Sequence, residues 1–242
     1  MSEKTIAEKL TEVAEGVSAV YNKGHADGAQ SEYDRFWDEF QQNGTRGSYE
    51  YAFAGPCWTP NILKPKYPIK IVDTTDNSRF AMGMFYRFNR DKHLGELFDV
   101  SGLCEMIDLT ECRNITQMFN NANVSNIILN LPKVKDMSSA FQIGDGGVID
   151  KITLTVTDAC TNYSNTFRTS ALGSLTFTEG SVIGANISFQ YATQLTHKSL
   201  MSIINALKSG VSGLTCTLGT TNLAKLTDAE KAKATEKGWT LA

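Results

Sequence analysis

The stretch ITQMFNNANVSNIILN, residues 115–130, holds two features that recur along the chain: a phenylalanine, Phe119, and a strand-like tetrad, IILN (127–130). Related tetrads are IDLT (107–110), ITLT (152–155), LTFT (175–178), CTLG (216–219) and WTLA (239–242). Their third residues, Leu109, Leu129, Leu154, Phe177, Leu218 and Leu241, are separated by 20, 25, 23, 41 and 23 residues. Phe85, Phe119, Phe141, Phe167 and Phe189 form a second series, at separations of 34, 22, 26 and 22. Two apolar series advancing together predict stacked repeats, because each repeat can bury its apolar side chains only against the next one.

The two wide gaps have a common cause. Leu94, Leu97 and Phe98 in one, and Leu200, Ile203, Ile204 and Leu207 in the other, stand at helical spacing. A helix there takes the place of a short return segment, the second running from Thr196 to just before Gly210. The final repeat carries Thr227-Asp228-Ala229-Glu230, a complete capping box, with Gly238 at the helix end before WTLA. The predicted fold class is therefore a repeat solenoid over residues 68–242, leucine-rich-repeat-like, with short parallel strands, irregular or helical returns, and a helix-strand cap at its C-terminal end.

Two segments precede it. In residues 1–30, Ile6, Leu10, Val13, Val17 and Val20 follow the 4, 3, 4, 3 spacing of a coiled-coil seam. The β-branched residues at the d positions point to three or four strands, with three preferred, hence an N-terminal helix that makes a homotrimer and attaches the molecule. An amphipathic helix folded back on its own domain is the alternative reading, since the seam is shorter than three heptads. Residues 31–67 form an aromatic-rich helical cap. Ser31-Glu32-Tyr33-Asp34 resembles a capping box, and Tyr33, Phe36, Trp37 and Phe40 share one helix face. Tyr49, Tyr51, Phe53, Trp58 and Tyr67 follow; sugar stacking is one reading of these rings, and sealing the open end of the next domain is the one that their helical spacing favours.

The Met-Phe pairs in ITQMFNNANVSNIIL (115–129) and AMGMFYRFN (81–89) resemble the leucine-rich-repeat bacterial surface-protein family with Met-Phe repeats. Later repeats replace the Met, as Ala140-Phe141, Thr166-Phe167 and Ser188-Phe189. The stretch from Leu195 to Ala242, and the EYDRFWDEFQ segment (32–41), are similar to leucine-rich-repeat structural proteins encoded by phages and prophages of gut bacteria. This second resemblance touches both ends of the chain. It implies a component of a phage particle, synthesised in the bacterial cytoplasm, that contacts other particle proteins through its N-terminus.

Composition narrows the function classes. A net charge of -3 over 242 residues supplies no positive field for nucleic acid or an anionic membrane. The N-terminus MSEKTIAEKL has acids where a secretory signal has an apolar core, and no apolar run approaches membrane-spanning length. Cys57, Cys104, Cys112, Cys160 and Cys216 are odd in number and scattered, which suits buried thiols. His25, His93 and His197 lack metal or catalytic spacing, and GDGG (144–147) lacks the Lys and Ser/Thr of a phosphate loop. Asp145 has no alternating acids around it and reads as a turn residue. No catalytic residue, cofactor or metal is expected.

The outward positions of the tetrads, Thr110, Asn130, Thr153, Thr155, Thr176, Thr178 and Thr217, make a neutral array of hydroxyls and one amide. Such an array can bind a cell-surface glycan or a protein, and it also satisfies β-propensity on a solvated sheet. The expected function is a trimeric, fibre-like adhesion or host-recognition module of a phage or prophage-derived particle. A bacterial cell-surface adhesin is the alternative, and a glycan-degrading tail enzyme the third reading.

Overall fold

The computed structural model describes residues 29–55, 65–73, 75–89, 97–144 and 147–242. Ile6, Leu10, Val13, Val17 and Val20 lie outside the described residues, as do His25, Cys57, Trp58, His93, Leu94 and Asp145.

Helix α1 (Ala29–Phe40) opens the described chain. Ser31 falls inside it, so Ser31–Asp34 does not start the helix. Its rings divide: Trp37 is buried, Phe40 half-buried and Phe36 exposed. The helix is tied down by Gln41, which is fully buried. Its Nε2 donates to Tyr49 Oη (3.1 Å) and to the Tyr67 carbonyl (2.8 Å), and its Oε1 accepts the Tyr67 N–H (2.9 Å).

From Tyr49 onward the chain forms a ladder of turn segments. Phe53 N–H donates to Met84 O (2.9 Å), Phe85 N–H to Met118 O (2.7 Å), Phe119 N–H to Ala140 O (2.8 Å) and Phe141 N–H to Thr166 O (3.2 Å). These bonds hold the rings of consecutive segments face to face. Phe53, Phe85, Phe119, Phe141, Phe167 and Phe189 make a continuous stack with centroid separations between 4.8 and 6.1 Å, and all six are fully buried. Phe53, read from sequence as part of an end cap, is its first ring. The turns also share a backbone device. Tyr51, Gly83, Gln117, Ser139 and Asn165 sit in register with φ between 50° and 58°. Gly83 has a second reason to lack a side chain, because the Tyr51 ring lies within 2.2 Å of where its Cβ would be.

The strands are β1 (Ile69–Val72), β2 (Phe98–Asp99), β3 (Ile107–Glu111), β4 (Asn123–Ser125), β5 (Ile127–Leu131), β6 (Val148–Ile149), β7 (Lys151–Val156), β8 (Ser174–Phe177), β9 (Ile187–Ser188), β10 (Leu214–Thr217) and β11 (Trp239–Leu241). They form four small parallel sheets, ordered β1-β3, β2-β4-β6, β5-β7-β8 and β9-β10-β11. The further helices are α2 (Ser101–Cys104), α3 (His197–Ala206), α4 (Gly219–Leu223) and α5 (Asp228–Glu236). The fold is thus mixed α/β. The expected leucine-rich-repeat-like solenoid is not what forms, and the described residues contain no long coiled-coil helix.

The physical reason is where the strand edges send their hydrogen bonds. A solenoid sheet requires every edge N–H to meet the next strand. At the β3/β5 boundary Ile128 N–H donates instead to Cys104 Sγ (3.5 Å), a thiol delivered by α2. Within β3, Asp108 Oδ1 accepts Thr110 N–H (3.0 Å), and the β1–β3 register is irregular between Lys70 and Val72. The edge of β8 that faces away from β7 meets the serines of α3 rather than another strand. The tetrads are therefore distributed over three sheets. IDLT pairs with the unanticipated strand IKIV (69–72), whose Ile69 and Ile71 are fully buried. In the last sheet Cys216, not Leu218, stands opposite Leu241. Leu109, Leu129, Leu154, Phe177 and Leu218 are buried, while Leu241 is half-buried.

The expected helix after Thr196 spans His197–Ala206, and Thr196 Oγ1 accepts Ser199 N–H (3.2 Å). The capping box of α5 is present: Thr227 N–H donates to Glu230 Oε2 (2.9 Å) and Glu230 N–H to Thr227 Oγ1 (3.3 Å). His197 Nε2 lies 2.9 Å from Glu230 Oε1. The Thr227 N–H, then its hydroxyl, and His197 hold the Glu230 carboxyl below its ordinary value. A depressed carboxylate contributes stability above its unfolded pKa and loses it as the pH falls through the folded one. Acidification from about pH 6 to about pH 3 should therefore loosen the start of α5. Protection factors at the Glu230 and Lys231 amides, taken relative to the intrinsic exchange rate at each pH, should fall over that range, and Glu230→Gln should remove most of that fall; an unchanged loss of protection in the variant would refute the assignment.

Candidate binding face

The sheet β5-β7-β8 keeps an uninterrupted register over five paired residues between β5 and β7 and four between β7 and β8. Ile127, Ile152 and Leu175 align on its inner face, as do Leu129, Leu154 and Phe177, and all six are buried. By strand alternation the opposite face carries Ile128, Thr153 and Thr176 in one row and Asn130 and Thr155 in the next. Thr178 extends the second row: its hydroxyl lies 2.7 Å from that of Thr155 and 3.4 Å from Ser181 Oγ. Of the expected array, Asn130, Thr153, Thr155, Thr176 and Thr178 are thus brought together. Thr110 and Thr217 are not. The Thr110 hydroxyl is spent on Asp108 (2.6 Å), and Thr217 lies in another sheet, opposite Ser188. Ile128, half exposed, interrupts the polarity of the face.

Helix α3 closes the β8 edge with side chains rather than with a backbone ladder. Ser199 Oγ accepts Leu175 N–H (3.0 Å), Ser202 Oγ accepts Phe177 N–H (2.8 Å), and the Ser202 hydroxyl reaches Phe177 O (3.3 Å). Serines at i and i+3 share one helix face, so both hydroxyls meet the same strand. An S-x-x-S pair within an apolar helix was the available sequence signal, and sequence reasoning passed over it. Between β8 and α3 lies a cleft of about 520 Å³, floored by Phe177, Met201 and Ala206 and rimmed by Thr176, Lys198 and Asn205.

Several other chemistry-bearing side chains among the described residues make structural contacts. Cys104, Cys112, Cys160 and Cys216 are buried free thiols. Burial pushes Cys104 and Cys160 up to about 11 and Cys216 to about 12, and raises Cys112 further, so none is a ready nucleophile. Asp73, also buried, accepts the N–H groups of Arg113 (2.6 Å) and Asn114 (3.1 Å), the Cys112 thiol (3.3 Å) and the Ser78 hydroxyl. Asp76 bridges Arg113 (2.9 Å) and Lys135 (2.7 Å) at the surface. At the two ends of the GDGG stretch (144–147), Gly144 N–H donates to Asn121 Oδ1 (2.7 Å), and a Cβ on Gly147 would lie 2.8 Å from Ala122 O. Among the described residues no group of three or more His, Cys, Asp or Glu side chains is placed to hold a metal ion, and no helix is long and apolar enough to cross a membrane. Comparison with protein-family models, with curated proteins and with solved structures finds no match to this chain.

Proposed function

We propose that the chain is a structural protein of a phage or prophage-derived particle and works as an adhesion module, with the outer face of β5-β7-β8 as its recognition surface. The observation that carries this reading is the registered array of Asn130, Thr153, Thr155, Thr176 and Thr178 on a sheet whose β5 edge meets the Cys104 thiol at Ile128 and whose β8 edge is held by the Ser199 and Ser202 hydroxyls. Hydroxyl and amide side chains both donate and accept, which suits the hydroxyl groups of a cell-surface glycan. A rigid backbone lowers the ordering cost of binding. Presentation in three copies would convert weak single contacts into avidity, and the apolar spacing of Ile6 to Val20 is the sequence support for self-association.

The test is capture of host-cell envelopes by the purified full chain, beside Thr153→Arg. An arginine there adds bulk and charge at the centre of the face and leaves the buried rows untouched. Capture by the parent protein, weakened roughly tenfold or more in the variant, is the expected result. Absence of capture by the parent, or equal capture by both, overturns the proposal.

A further inference from the structure

We infer that the cleft between β8 and α3 is a saccharide subsite that takes a neutral N-acetylated hexosamine unit. This rests on the reading of the adjoining face as a recognition surface, since Thr176 and Thr178 belong to both.

The first argument is which polar groups are already engaged. Ser202 is bonded to the Phe177 backbone, and Thr178 and Ser181 to one another, while the Thr155 hydroxyl joins Thr178. These groups fix the walls. By contrast, the Thr176 hydroxyl, the Asn205 amide, the Lys198 ammonium and the Glu179 carboxylate line the same cleft and make no side-chain hydrogen bond or ion pair within the described residues. Exposed Glu179, Lys198 and Asn205, together with half-buried Thr176, thus leave donors and acceptors available along a hollow of about 520 Å³, within the ~300–1,000 Å³ of small-ligand sites, as a polar ligand requires.

The second argument is the character of that ligand. Lys198 and Glu179 are of opposite sign, so the cleft has no net charge to attract a uronic or sialic acid over a neutral sugar. Met201 and Ala206 add a carbon surface beside the Asn205 amide. An acetamido group matches that pairing: its N–H and C=O face amide and hydroxyl, and its methyl covers carbon. A plain hexose places a hydroxyl against the same carbon and leaves it without a partner.

Titration of the full chain with the trisaccharide of N-acetylglucosamine, followed by amide chemical shifts, tests this. Shifts should concentrate in β8 and the second half of α3, and maltotriose should bind roughly tenfold more weakly or worse. Asn205→Trp places a bulky ring in the cleft, against the walls that Ser202, Thr176 and Thr178 also line, and should reduce trisaccharide binding at least about tenfold while far-UV circular dichroism stays unchanged. Undiminished binding by Asn205→Trp, equal response to maltotriose, or no response to the trisaccharide overturns the inference. Should the trisaccharide fail while envelope capture persists and remains sensitive to Thr153→Arg, the subsite falls and the recognition face stands; loss of envelope capture itself removes the reading beneath both.

Discussion

Replacing Phe141 with alanine is expected to cost about 3–5 kcal/mol, a large share of the roughly 5–15 kcal/mol that holds a domain of this size together. Phe141 is fully buried, with Phe119 on one side (centroids 6.1 Å apart, 22° between planes) and Phe167 on the other (5.7 Å, 27°). Its truncation empties one position in a stack whose neighbours are held by backbone bonds. Phe119 N–H donates to Ala140 O and Phe141 N–H to Thr166 O, so the adjoining segments cannot close the gap without losing those bonds. Urea unfolding of Phe141→Ala beside Phe141→Leu separates cavity from chemistry. The leucine keeps most of the volume and should cost under about 2 kcal/mol, with the remainder assigned to ring geometry. A loss below about 1 kcal/mol in the alanine variant would show that the segments collapse around the hole, and that the stack is not the spine described here.

The phenylalanine column was legible because it is a property of repeated side chains: Phe85, Phe119, Phe141, Phe167 and Phe189 recur in sequence as they stack in space. The alternation that buries Leu129 and Leu154 and exposes Asn130 and Thr155 was legible for the same reason, and with it most of the candidate face. The partition into four sheets was not. It turns on single hydrogen bonds, namely the Cys104 thiol on Ile128 N–H and the Ser199 and Ser202 hydroxyls on β8, and no periodicity announces these. The two-residue offset that sets Cys216 against Leu241 was hidden because CTLG and WTLA align equally well by apolar pattern. One repeated signal was present and missed. The side chains of Asn114, Asp136 and Asn162 each accept the N–H two residues ahead, from Thr116, Ser138 and Ser164, and parallel backbone bridges join the three positions in order.

Helix α3 stands at the junction of structure and proposed function. Its serines finish the sheet that carries the face, and its side chains form one wall of the cleft. Its C-terminal carbonyls are in turn held by Lys237, whose ammonium donates to Ile204 O (2.9 Å), Asn205 O (2.6 Å) and Leu207 O (2.9 Å). A cation at this end of a helix opposes the partial negative charge of the unpaired carbonyls. Lys225 makes a similar clamp one segment away, on Thr193 O and Leu195 O, both at 2.8 Å. The position of Asn205 at the cleft rim thus depends on a lysine some thirty residues further along the chain, in the turn between α5 and β11.

That turn makes Gly238→Ala the second severe substitution. Gly238 has φ of 93°, in the region where a side chain is strained, and a Cβ there would lie 1.7 Å from the backbone oxygen of Val211. Backbone cannot rotate aside as a side-chain tip can. Val211 N–H is itself bonded to Lys237 O (3.3 Å), and next to the glycine the buried Trp239 donates its Nε1–H to Lys208 O (2.9 Å). Relief of the clash therefore pulls on the Lys237 clamp, on Trp239 and on β11 together. Gly210→Ala is the matched control: its φ is 72°, and nothing lies within 4 Å of the added carbon. Strain alone should cost Gly210→Ala about 1–2 kcal/mol, whereas Gly238→Ala should lose at least about 3 kcal/mol. Amide exchange should locate the added loss in α3, α5 and β11 and leave the ring stack protected. Equal losses in the two variants would mean that the Val211 contact relaxes freely, and the chain of constraint from Gly238 to the cleft would then be broken at its first link.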